Sequence, residues 1–186
     1  MRVIIVGCGR VGARTAAQLD TNGDRVTVVD TDARAFNRLP PTFGGATVRG
    51  SGTDEDVLRA AGAEATDLLM ALTEGDNRNA LSAQLGKHTF GVPRVIAKIN
   101  DPLRADAYLA LGLETICRTT MLSGALIQAA TESTDANDFV KAPTAEPLRG
   151  APSPGSRAHA ESLAAMAAQR GDRTADRANA TEPEEA

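Results

Sequence analysis

Residues 1–19 read MRVIIVGCGRVGARTAAQL. The apolar run Val3–Val6 meets three glycines, Gly7, Gly9 and Gly12, in the pattern G-x-G-x-x-G, and an alanine-rich stretch follows. Strand, tight turn and helix in that order make a weak pattern informative, because this is where a pyrophosphate is held in nucleotide-binding βαβ units. Gly7 permits the turn, Gly9 lets backbone approach the phosphates, and Gly12 lets helix and strand pack closely. The helix N-terminus adds free N–H groups and a partial positive charge. Arg10, between the second and third glycines, brings a guanidinium that can contact phosphate oxygens.

Asp30 ends the next apolar run, RVTVVD, 18 residues after Gly12. A carboxylate there accepts hydrogen bonds from both hydroxyls of an adenosine ribose and repels a 2′-phosphate. NAD, NADH, ATP and ADP therefore remain as ligands.

Working outward, apolar runs alternate with amphipathic stretches as far as residue 130. Strands are expected at RVIIV (2–6), RVTVVD (25–30), ATVRG (46–50), TDLLMAL (66–72), RVIAKI (94–99) and ETIC (114–117). Helices are expected at 10–22, 32–39, 53–62, 75–91, 101–112 and 119–130, the last closing the domain. Thr53 is the expected N-cap of the third helix, with Asp54, Glu55 and Asp56 at the positive end of its dipole. Strands such as VIIV and LLMAL are apolar at consecutive positions, as buried parallel strands are. The order predicts an α/β, Rossmann-like, doubly wound six-stranded parallel sheet covered on both faces.

Composition changes at Thr131. Residues 131–186 hold five large apolar side chains (Phe139, Val140, Leu148, Leu163 and Met166), five of the nine prolines, and ten acidic against six basic residues. So few anchors cannot offset the entropy of ordering the segment, which predicts a mostly disordered acidic, Ala/Pro-rich tail, with at most a marginal helix at AHAESLAAMAAQ. The net charge of −4 argues against a general nucleic-acid binder. Cys8 and Cys117 show no metal spacing and read as free thiols in a reducing compartment. No apolar run approaches the roughly 18 residues of a spanning helix, and VIIV is too short for a secretory signal. A cytoplasmic protein is expected, able to sit on a membrane partner.

The stretches VVDTD, VRGSGTDEDVLRAAGAEATDLLMALTEGDNRNALSAQLGK and RVIAKINDPLRADAYLALGLETI are more specific than the glycines. Over residues 1–130 the chain resembles the TrkA-type nucleotide-binding domain, also called KTN or the N-terminal lobe of RCK domains. The resemblance implies a cytosolic regulatory subunit of Trk or Ktr potassium uptake systems, peripheral on the inner face of the membrane. It implies that NAD(H), ATP or ADP acts as a regulatory ligand and that subunits pair, then assemble into a ring beneath an integral membrane potassium-translocating subunit. Residues 101–112 and 119–130 are the implied contacts of a homodimer or larger ring. By the same resemblance, Gly7, Cys8, Gly9, Arg10 and Val11 hold phosphates, with Gly12 completing the loop. Asp30 and Thr31 lie at the ribose, Ser51 and Gly52 flank the adenine, Thr73 lines the pocket near the phosphates or second ribose, and Lys98 stands where relatives often carry Arg. Asp32 matches a second family acid and equally suits a helix cap. Many relatives carry a second, smaller lobe. Residues 131–186 do not resemble one, so a separate RCK-type subunit or a single-lobe variant is expected.

Catalysis finds little footing. His88 falls late in a helix, His159 falls in the tail, and Tyr108 falls in a helix where packing explains it. There is no G-x-S-x-G and no G-x-x-x-x-G-K-[ST]. Asp76 and Asn77 suit a helix cap or the cleft, and Asp101-Pro102 a helix start. The expectation is a non-enzyme. The alternative is a small NAD-dependent oxidoreductase or redox sensor, using Cys8 as a low-pKa thiol beside a helix N-terminus.

Overall fold

The computed structural model describes residues 1–131. The expected tail, its AHAESLAAMAAQ segment and His159 lie outside the described residues. Six strands, β1 (Arg2–Val6), β2 (Arg25–Asp30), β3 (Ala46–Arg49), β4 (Leu68–Ala71), β5 (Arg94–Ile99) and β6 (Glu114–Cys117), form one sheet in the order β3-β2-β1-β4-β5-β6. Every pairing is parallel. The helices are α1 (Arg10–Thr21), α2 (Glu55–Ala60), α3 (Asp76–Gln84), α4 (Pro102–Ala110) and α5 (Arg118–Thr131). This is the expected doubly wound Rossmann-like sheet.

The consecutive apolar residues of β1 explain its central place. Side chains alternate across a strand, so Ile4 and Val6 join the cluster under α2, α3 and α4, with Leu58, Leu69, Ala83, Ile99 and Ala105. Val3 and Ile5 join the cluster under α1, with Ala13, Ala16, Val28 and Leu68. The strand order reverses between β1 and β4, which opens a crevice at their carboxyl ends.

Three local expectations are corrected. Asp54, not Thr53, caps α2: its carboxylate accepts from the N–H groups of Asp56 (2.9 Å) and Val57 (3.4 Å). The Thr53 hydroxyl is engaged instead by Ser51 Oγ at 2.7 Å. The long helix expected at 75–91 ends as α3 at Gln84 and continues as a π-helical turn, Leu85–Thr89, where the Phe90 N–H donates to the Leu85 carbonyl at 3.1 Å. Gly86 in that turn lies against the sheet, a Cβ there standing 3.0 Å from Leu69 Cδ1. Finally, α5 does not close the core, since none of its residues is buried. Residues 33–38 form a 3-10 turn capped by Asp32, whose side chain accepts from the Arg34 N–H.

Candidate functional site

The crevice at the strand reversal holds a cavity of about 220 Å³. It gathers Gly7, Gly9, Asp30, Thr31, Ser51, Gly52 and Thr73, which the sequence scatters over 67 positions. Gly50, Thr53, Glu74, Arg78 and Ser82 line it too and were not foreseen.

The glycine loop is shaped by the packing of β1, β4 and α1. Gly7 sits at φ +104, and a Cβ there would stand 2.9 Å from the Thr73 nitrogen. A Cβ on Gly12 would stand 1.9 Å from the Gly7 carbonyl oxygen, so α1 and the loop touch backbone to backbone. Gly9 differs: its φ of −74 suits any residue, and a Cβ would meet nothing within 4 Å. Its missing side chain leaves open space on the cavity side. Gly9 also supplies no side-chain cap to α1, so first-turn N–H groups stay available to an anion.

Asp30 joins the end of β2 to this loop. Its Oδ2 accepts the Cys8 N–H at 2.7 Å and its Oδ1 accepts the Asp32 N–H at 2.9 Å. An ionised carboxylate has about four acceptor positions, so capacity remains for a diol. Cys8 itself is fully buried. Burial, and then the charge of Asp30, push its thiol pKa up against the opposing charge of Arg38. The low-pKa thiol of the alternative reading is therefore not what the fold favours: burial and the charge of Asp30 raise the pKa.

Arg10 and Val11 are exposed on the first turn of α1 and do not line the cavity, and Gly12 lies beneath the loop. Lys98 is buried, with its ammonium 3.5 Å from Glu74 Oε1 on the rim. It stands behind an acid rather than at the cleft. His88 is exposed, Tyr108 packs against the core, and neither lines the cavity.

Two residues of α3 tie that helix to the neighbouring strand ends. Asp76, left open between cap and cleft, accepts from the N–H groups of Asn100 (2.8 Å) and Asp101 (3.0 Å) and from the Asn100 amide (2.9 Å). Burial pushes its pKa up, but these bonds and the charge of Arg104 prevail and hold it below the usual carboxylate value. Asn79 is fully buried and was not singled out. Its Oδ1 accepts from the Thr73 N–H (2.8 Å) and hydroxyl (2.6 Å), and its Nδ2 donates to the carbonyls of Thr73 (2.9 Å) and Lys98 (2.7 Å). The available signal was an asparagine inside an amphipathic helix, a poor helix former there without a partner.

A family model described as the TrkA-N domain matches residues 3–119. The chain is 44% identical over 116 residues to the Trk system potassium uptake protein TrkA of Streptomyces coelicolor, an alignment covering 62% of this chain and 52% of that protein. It thus spans about half of that relative's length. The Shewanella denitrificans Kef C-terminal domain, solved in an AMP-bound form, superposes with a TM-score of 0.60 at 23% identity over 76% of this chain and 87% of that one. The GsuK channel bound to NAD superposes with a TM-score of 0.62 at 22% identity, over 73% of this chain and 24% of that one. Such identities speak for the fold alone. The family match takes in the glycine loop, Asp30 and every strand of the sheet, and the chain belongs to the TrkA-N domain family.

Proposed function

We propose that this chain is a nucleotide-sensing regulatory domain of a Trk-type potassium uptake system. The carrying observation is the Asp30 carboxylate, hydrogen-bonded to the glycine loop and sharing one cavity with Gly9, Ser51, Gly52 and Thr73. An adenosine ligand fits it by chemistry: ribose hydroxyls on Asp30, phosphates over Gly7–Gly9 at the start of α1, adenine beside Ser51 and Gly52. AMP and NAD in two neighbours of the same fold agree with an adenosine ligand. NAD(H), ATP and ADP are the candidates.

A regulatory rather than catalytic role is supported by the lining. The histidine and tyrosine of the described chain stand away from the cleft, and the Cys8 thiol is buried and held protonated. A nucleotide biases an assembly only by binding one of its shapes more tightly than another. In this reading the assembly is a homodimer or larger ring on the cytoplasmic face of an integral membrane potassium-translocating subunit. The potassium assignment draws on the Streptomyces relative. No helix among the described residues is long and apolar enough to cross a membrane.

Thermal unfolding with NAD, NADH, ATP and ADP tests this. A ligand at 100 times its Kd adds about 2.7 kcal/mol, a rise on the order of 10 °C for a domain of this size. A rise abolished by Asp30→Ala supports the reading. No rise with any of the four overturns it.

A further inference from the structure

Besides the glycine loop and Asp30, the cavity has a wall made by α3. Arg78 and Ser82, four positions apart and so on one helix face, both line it. Asn79 ties that helix to β4 and β5, which fixes the wall. Gly75, just before α3, has φ −105 and ψ 120, a conformation open to any residue. Yet a Cβ there would stand 2.9 Å from the Arg78 Nε and 3.3 Å from its Nη2. The exposed Arg78 side chain lies over Gly75, a seat that the missing Cβ leaves open.

The charges around that seat are uneven. Arg78 is the one cation among the residues lining the cavity, whose acids are Asp30 and Glu74. Glu74 is engaged by Lys98 at 3.5 Å, and among the described residues no carboxylate lies within ion-pair distance of Arg78. One turn along the same wall, the Ser82 hydroxyl is buried and has no hydrogen-bond partner, whereas buried hydroxyls are normally partnered. An unpaired guanidinium and an orphan hydroxyl lining the same cavity suit a phosphate, whose oxygens take the forked donors. The second half of an oxidised dinucleotide offers instead a neutral ribose and a cationic ring.

We infer that Arg78 sets the ligand preference of this cleft, by holding the terminal phosphate of a nucleoside triphosphate whose ribose lies on Asp30. The inference rests on the nucleotide reading above. It moves the discriminating role from Arg10, which stands outside the cavity, to a residue on α3.

Calorimetric titration of the full chain with ATP, AMP and NAD tests it. Arg78→Ala weakens ATP about tenfold, the scale of one charge-assisted contact, and leaves AMP and NAD within about twofold. Gly75→Ser keeps the arginine and a good helix cap but fills the seat, and it lowers the ATP-to-AMP ratio in the same direction. Arg10→Ala leaves that ratio unchanged. Unaltered AMP binding certifies that the cleft is intact. Should the alanine variant not fold, Arg78→Gln gives the same readout. An unchanged ATP-to-AMP ratio in the Arg78 variant, with nucleotides still bound by the wild type, overturns this inference and leaves the nucleotide reading standing. A wild-type chain that binds none of the three overturns both.

Discussion

Asn79 makes four hydrogen bonds from inside the fold, to both backbone groups and the hydroxyl of Thr73 and to the Lys98 carbonyl. These bonds use its whole amide capacity and set the position of Thr73 at the cavity. Asn79→Ala leaves several buried polar groups unpaired, each costing about 1–3 kcal/mol. Urea unfolding is expected to show a loss of about 3 kcal/mol or more. Asn77→Ala, two residues earlier and exposed, should stay within about 0.5 kcal/mol of wild type. Equal losses would remove Asn79 from this role. The asparagine was overlooked because helix periodicity predicts a face, not a partner across the fold. The same limit applies to Lys98. Its strand position was legible, while its pairing with Glu74 depended on a side chain from another loop.

At the scale of elements, the glycine loop separates packing from ligand space. Gly12→Ala drives a methyl into the Gly7 carbonyl, and a loss of about 2 kcal/mol is expected in the free energy of unfolding. Gly9→Ala meets open space, so its stability should hold within about 0.5 kcal/mol while nucleotide affinity falls. Loss of stability without loss of binding in Gly9→Ala would contradict the proposed path of the phosphates. The turn from β5 into α4 depends on a charge as well as on packing. Asp76 has a depressed pKa in the folded chain, so its stabilisation is complete above the ordinary aspartate value of about 3.9. It is lost as pH falls through the lower folded value. Asp76→Asn should therefore flatten the acid side of a plot of unfolding midpoint against pH, below about pH 4. Parallel curves for variant and wild type would exclude Asp76 as a source of that slope.

Across the whole molecule, the described surface is unevenly finished. Leu109 and Leu111 at the end of α4, Ile116 on β6, and Met121, Leu122, Leu126 and Ile127 on α5 are between 45% and 66% exposed. None of the 14 residues of α5 is buried, and exposed apolar patches of this kind mark contact surfaces. This supports the self-association expected from residues 101–112 and 119–130. Leu122 and Leu126 lie one turn apart on α5. Converting both to Glu should halve the mass measured by light scattering and leave the thermal unfolding of the domain in place, because neither side chain is in the core. An unchanged mass would exclude α5 from the contact.

Short-range pattern carried the strands, their order and the place of the crevice. Consecutive apolar residues placed β1 at the centre of a parallel sheet. The three glycines and the strand-ending Asp30 marked the crevice, because turn geometry and strand period depend on neighbours a few positions away. Tertiary structure alone decided which groups face that crevice. The glycine motif pointed to Arg10 and passed over Arg78, yet the packing of α1 and α3 puts only the second among the residues lining the cavity. It also buried Cys8, where desolvation and the charge of Asp30 raise the thiol pKa. Side-chain direction and desolvation arise from contacts between segments far apart in the chain, and no local pattern encodes them.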